Sequence, residues 1–222
     1  LNAADRDFAV QRRWKPADRV DVIPHGVSST YLDDAPPPGA PRGRGLLFCG
    51  SWDTVKGVDY LVGAMGLLKD DAEPPRLTVL GPGLPEAAVL NAFPEAVRPL
   101  VTVVPRADEA VVMRHYREHD VLVMSSSYEG FGMVVVEAMS QRLPVIATAV
   151  GGAPALLAGS AGILIPPRQP EAIAAAVRRL LHDPALRRRL GDAGRERVRE
   201  MSWTATAQRT LACYEAARAS RR

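Results

Sequence analysis

From residue 45 to residue 166 the chain repeats one pattern: a short apolar run, a glycine, proline or serine break, then a stretch with helical spacing. The runs are "GLLFCG", "RLTVLG", "VTVVP", "DVLVMSS", "PVIAT" and "AGILIP". Between them lie "VDYLVGAMGLL", a Pro-broken helical stretch, "DEAVVMRHYREH" with Asp108 placed to cap it, "MVVVEAMS" and "APALLA". Strands this continuously apolar are buried on both faces, and alternation with helices makes the sheet parallel. The fold class expected is α/β, a doubly wound parallel sheet. Helices follow it. "EAIAAAVRRLLHD" stops before Pro184, "PALRRRLGDAGRERVREM" is weakened by Gly191 and Gly194, and Ser202 caps "WTATAQRTLACYEAARA".

The segment before the repeat is of another kind. Residues 3–13 read as a short helix, and "DRVDVIP", with Val20 and Val22 alternating, as a short strand. "HGVSSTYLDDAPPPGAPRGRG" is dense in Pro and Gly and reads as a linker. The opening "LNAADRDFAVQRRW" has no secretory signal, and Leu1 suggests the middle of a longer sequence.

Charge and cysteine content narrow the function. A formal charge of +3 gives no case for nucleic acid as a partner. The only lysines are Lys15, Lys56 and Lys69, while arginines crowd the last fifty residues. Those arginines read first as a solvated helix face, and secondarily as a peripheral contact with an anionic membrane. No apolar stretch reaches the roughly 20 residues of a membrane-spanning helix. Cys49 and Cys213 lie far apart with no metal-site spacing, and a reduced cytoplasmic location is the default expectation. His115 and His119 are four apart on one helix, a spacing a metal could use, but no further ligand accompanies them.

Ligands of open α/β sheets bind at the carboxyl ends of the strands, so those ends carry the functional reading. In "FCGSWDTVKG", Gly50 and Ser51 leave a strand and Lys56 precedes a helix starting near Gly57, a place that favours an anion. The GxxxxGK[ST] spacing of a P-loop is absent. In "SSSYEGFGMVVVEAM", Glu129 ends a strand and Gly130, Phe131 and Gly132 bring backbone close to the cleft. The following helix opens with free N–H groups. Glu137 lies about a turn into it, in a run so apolar that its carboxylate needs a hydrogen-bonding partner, which a ribose diol would supply. Taken singly, either glutamate also reads as a solvated surface residue. Gly151 and Gly152 in "TAVGGAP" allow another close backbone approach.

"SSSYEGFGMVVVEAM" followed by "LPVIATAVGGAPALL" resembles the signature of the GT4 family of retaining, nucleotide-sugar glycosyltransferases of the GT-B fold. "DVIPHGV", "FCGSWDTVKGVDYLVGAM", "LTVLGPG", "DVLVMSSS" and the tryptophan of "MSW" match further blocks in the family's order. The resemblance covers nearly the whole chain. It implies the Rossmann-like C-terminal, donor-binding half of such an enzyme, with C-terminal helices. Residues 1–32 would be the end of an acceptor-binding domain, 33–44 the linker, 45–200 the donor domain, and 201–222 the helix returning toward the acceptor domain.

The resemblance also implies roles. Glu129 would touch the donor sugar near the reacting carbon, and Glu137 would bind the ribose. The backbone of Gly130, Phe131, Gly132, Met133 and Val134 would meet the diphosphate and sugar. Lys56 would neutralise the departing diphosphate beside Gly50 and Ser51, and Val104 and Arg106 would lie near the base. A nucleoside diphosphate sugar would be co-substrate, with no cofactor and no metal. The only DxD spacing is Asp5, Arg6 and Asp7, on an expected surface helix. Four positions depart from the family pattern. Ser51 stands for an arginine, Arg142 for a glycine, Ala155 for an acidic residue, and His25 for an asparagine. With Ser51 and half the fold absent, the alternatives are a catalytically degenerate nucleotide-binding module or one half of a split enzyme.

Overall fold

The computed structural model describes residues 2–43 and 45–219. Six parallel strands form one sheet in the order β3-β2-β1-β4-β5-β6. They are β1 (Leu46–Cys49), β2 (Leu77–Leu80), β3 (Val101–Val104), β4 (Val121–Met124), β5 (Val145–Thr148) and β6 (Ile163–Ile165). Register is continuous from Leu77 against Leu46 to Thr148 against Ile165. All six apolar runs are therefore strands, in the 3-2-1-4-5-6 order of the doubly wound, Rossmann-like class.

Side chains alternate between two cores, as the period of a strand requires. Leu46 and Phe48 of β1, with Leu77, Val79, Val121 and Val123, pack beneath α3 (Val58–Leu68), α4 (Glu86–Asn91) and α8 (Pro170–His182). Leu47, Leu80, Leu122, Met124, Val145 and Ala147 point the other way, toward α5 (Glu109–Glu118), α6 (Met133–Ser140) and α7 (Ala153–Leu156). Asp108 accepts from the Val111 N–H at 2.8 Å and caps α5, a contact worth about 1 kcal/mol.

Four expectations are corrected. Residues 20–26 form no strand. Val27 makes one isolated bridge to Ser202, because the described chain offers no sheet edge beside "DRVDVIP" for it to join. The Pro-rich stretch is no free linker. It contains α2 (Ser29–Asp33), whose Tyr31 and Leu32 are buried, and Arg42, which donates to the carbonyls of Tyr116, His119 and Gln141. The first helix, α1 (Ala3–Gln11), stops two residues short of 13. Gly191 and Gly194 do not interrupt α9 (Pro184–Val198). A Cβ on Gly191 would overlap the Arg142 carbonyl, so the missing side chain is what lets α9 lie against the end of α6.

Arg142 itself adopts φ +56°, the left-handed region that suits a glycine and costs other residues roughly 1–2 kcal/mol. Its guanidinium reaches Asp192 at 2.5 Å and the Pro36 carbonyl at 3.0 Å, contacts a glycine could not make. Other arginines are held similarly. Arg178 grips Asp71 with two nitrogens, Arg187 donates to the carbonyls of Leu180 and Leu181, and Arg197 donates to the Ala155 carbonyl. Ser202 caps α10 (Trp203–Ala219) at its Ala205 N–H. No helix among the described residues is long and apolar enough to cross a membrane.

Candidate active site

The strand order reverses between β1 and β4, and the loops leaving these two strands meet there. Two hydrogen bonds and one bare Cα join them, and a third bond holds the loop after β4 to the end of β5. Ser125 donates to the Lys56 carbonyl at 2.9 Å, the Ser127 N–H to the Val55 carbonyl at 2.8 Å, and Thr148 to the Ser126 carbonyl at 2.6 Å. Gly57, at φ +66°, passes so near Ser125 that a Cβ would overlap its carbonyl oxygen.

This splicing delivers Lys56 to Glu129. Nζ lies 2.8 Å from Oε2, with the lysine side chain 30% and the glutamate 14% exposed. Residues 54–56 form a short 3-10 turn whose cap is Asp53, which accepts from the Lys56 N–H at 3.0 Å and from the Ser51 hydroxyl at 2.6 Å. Those hydrogen bonds, Ser51 first, hold the Asp53 carboxyl below its ordinary range. Ser51 therefore braces the loop and brings no positive charge. Arg106 is exposed in the coil after β3, two strands from β1, or roughly 10 Å by strand spacing. Val104 is half-buried at the end of β3.

The Glu129–Gly132 turn is positioned from beneath. A Cβ on Gly151 would overlap the Glu129 carbonyl, and one on Gly152 the Phe131 carbonyl. The close approach allowed by "VGG" is thus made to the glycine turn. Phe131 is buried and meets His25 edge-on at 5.2 Å between ring centres. Asn2, which caps α1, donates to the Gly130 carbonyl at 2.6 Å. Gly132, at φ +95°, caps α6, and the N–H groups of Met133 and Val134 open that helix where intrahelical acceptors do not reach.

Glu137 sits on the fifth residue of α6 and is half-buried. Its Oε2 accepts from the Tyr116 hydroxyl at 2.9 Å. Burial raises its pKa above the ordinary carboxylate value, and the Tyr116 hydrogen bond partly opposes that. Cys49 ends β1 beside them, and burial pushes its thiol up to about 11. Sequence reasoning found both glutamates, the lysine and the glycines. It missed Tyr116, read only as part of a helix, and Ser126. The Ser126 hydroxyl is buried with no hydrogen-bond partner among the described residues, and it lines a small cavity with Lys56, Glu129 and Val134. Neither residue carried a signal of its own in the sequence.

Among the described residues no group of three His, Cys, Asp or Glu side chains could hold a metal. His119 contacts the His115 carbonyl and the Thr78 hydroxyl, each at 2.8 Å, and is fully buried. Asp5 and Asp7 are both exposed residues of α1, on different sides of the helix.

A six-stranded, all-parallel, doubly wound sheet is the architecture of the C-terminal half of GT-B glycosyltransferases. The glycosyl transferases group 1 family matches residues 43–183, and the chain belongs to that family. It is 34% identical, over 90% of its length, to the D-inositol 3-phosphate glycosyltransferase of Kineococcus radiotolerans, and covers 52% of that protein. The chain spans about half the length of the curated relatives it matches. The sucrose-phosphate synthase of Thermosynechococcus elongatus superposes with a TM-score of 0.80 at 29% identity, over 99% of this chain and 58% of that one. The C-terminal domain of a glycosyl transferase group 1 family protein from Francisella tularensis superposes with a TM-score of 0.65 at 23% identity. That match covers 78% of this chain and 96% of that one.

Proposed function

We propose that this chain is the donor-binding half of a retaining glycosyltransferase that takes a sugar from a nucleoside diphosphate sugar. The observation that carries the reading is the set Lys56, Glu129 and Glu137 around the Gly130–Gly132 turn, at the sheet's switch point. Glu137 accepts the ribose hydroxyls. The N–H groups opening α6 and the Lys56 ammonium take the diphosphate and stabilise its charge as it leaves. Glu129 faces the sugar, and the buried Ser126 hydroxyl supplies a further polar contact beside it. Lysine and backbone donors serve the diphosphate without a metal.

The acceptor is held by a second half that this chain does not contain. Phe8, Trp14 and Val22 of the N-terminal segment, with Trp203, Leu211 and Tyr214 of α10, expose large apolar side chains that such a half would cover. One observation favours the degenerate-module reading instead: the family's arginine is Ser51, and its hydroxyl is engaged by Asp53.

Calorimetric titration with UDP, GDP and ADP, in the presence of a chelator, tests the proposal. One of the three is expected to bind, and Glu137→Ala to weaken it by roughly 10- to 150-fold, the cost of about 1.5–3 kcal/mol for a hydrogen-bonded charge. No binding by any nucleotide, or unchanged affinity in the variant, would overturn it. Binding that needs an added divalent ion would overturn the metal-free part.

A further inference from the structure

We propose that Tyr116 is a positioning residue for nucleotide recognition: its hydroxyl fixes one oxygen of Glu137 and leaves the other to the ribose. This rests on the reading of Glu137 as the ribose carboxylate.

Glutamate has three rotatable side-chain bonds, and ordering them for a ligand costs entropy unless something orders them first. Here the Tyr116 Oη stands 2.9 Å from Glu137 Oε2. Tyr116 is itself immobilised, fully buried on α5 with its ring 6.2 Å from that of Tyr31 on α2. Its oxygen also lies 3.5 Å from Cys49 Sγ. A tyrosine has one proton to give, and the charged carboxylate is the stronger acceptor. The thiol, kept protonated by burial, is left to donate to the tyrosine oxygen. The chain Cys49–Tyr116–Glu137 thus ties the carboxylate on α6 through α5 to the end of β1. Among the described residues the hydrogen bond to Glu137 is made at Oε2, and Oε1 is left for a vicinal diol.

The same contact sets the protonation of the carboxylate. Tyr116 and Glu109 from α5 act on Glu137, whose charge in turn bears on Cys49 of β1 and Tyr31 of α2. Burial and the Glu109 charge favour the neutral form, and only the Tyr116 hydrogen bond favours the ion. Ribose binding that needs the ion is therefore lost as pH falls through the Glu137 pKa. Removing the hydroxyl raises that pKa and moves the loss to higher pH.

The test compares wild type with Tyr116→Phe, titrated with UDP, GDP and ADP and with their 2′-deoxy forms, across pH 5 to 8. Phenylalanine keeps the ring and its packing, and a thermal melt verifies the fold. For the nucleotide that binds, wild type is expected to prefer the ribose form. Tyr116→Phe should weaken that form by about tenfold, barely change the deoxy form, and move the acidic loss of binding to higher pH. Equal losses for both forms, or an unmoved pH profile, would mean a merely structural tyrosine and overturn the proposal. If wild type itself does not distinguish ribose from deoxyribose, the ribose role of Glu137 fails, and this inference fails with it.

Discussion

Gly151→Ala is expected to destabilise the chain by about 2–5 kcal/mol, read as a fall in its denaturant midpoint. Two costs combine. The backbone at Gly151 has φ +54°, where a side chain is strained by roughly 1–2 kcal/mol. The added methyl would also overlap the Glu129 carbonyl, and forcing backbone apart in a packed region costs typically 1–3 kcal/mol. Gly81 provides the control. Its φ is +68°, but nothing lies within 4 Å of its virtual Cβ, so Gly81→Ala should show the strain alone. If the two variants lose equal stability, the contact with Glu129 is not what Gly151 is for. Because the displaced carbonyl belongs to the turn that leads into the N–H groups opening α6, nucleotide affinity should fall in Gly151→Ala at temperatures where the variant is still folded.

Lys56 and Glu129 should give opposite signs in one titration. Lys56→Ala removes the ammonium proposed for the diphosphate and should weaken nucleoside diphosphate binding by roughly 10- to 150-fold, since a hydrogen bond to a charged group is worth about 1.5–3 kcal/mol. Glu129→Gln should leave that affinity unchanged or tighten it. The carboxylate 2.8 Å from Nζ competes with the phosphate for the same ammonium, and the amide that replaces it has no charge. Weakened diphosphate binding in Glu129→Gln would show that the pair acts as a unit. Both side chains are partly exposed, so neither change should move stability by more than about 1 kcal/mol.

The sheet was legible because a strand buried on both faces has little alternative to an unbroken apolar run. "VLVM" and "VIAT" could be read without knowing their neighbours. The two glutamates were legible for the converse reason: a carboxylate amid "MVVV" and "AM" demands an explanation. "DRVDVIP" misled because alternation describes a strand only where an edge is available to pair with it. The Pro-rich stretch hid α2, since two buried residues, Tyr31 and Leu32, leave almost no periodic signal. Gly151 and Gly152 were visible as glycines, but what they approach is set by three-dimensional placement. Tyr116 and Ser126 are legible only once α5, α6 and the loop after β4 have been brought together.

The placement of the three tryptophans has an optical consequence. Trp52 is wedged between Phe48 and Phe93 at ring distances of 5.4 and 5.5 Å, under the loop that carries Lys56. Trp14 and Trp203 are 67% and 50% exposed, on the segments at the two ends of the chain. Ultraviolet emission from this molecule is thus a mixture of one shielded indole under the Lys56 loop and two wet ones on the terminal segments. A quencher dissolved in water reaches the second population first, so the two regions can be followed separately without attaching a dye.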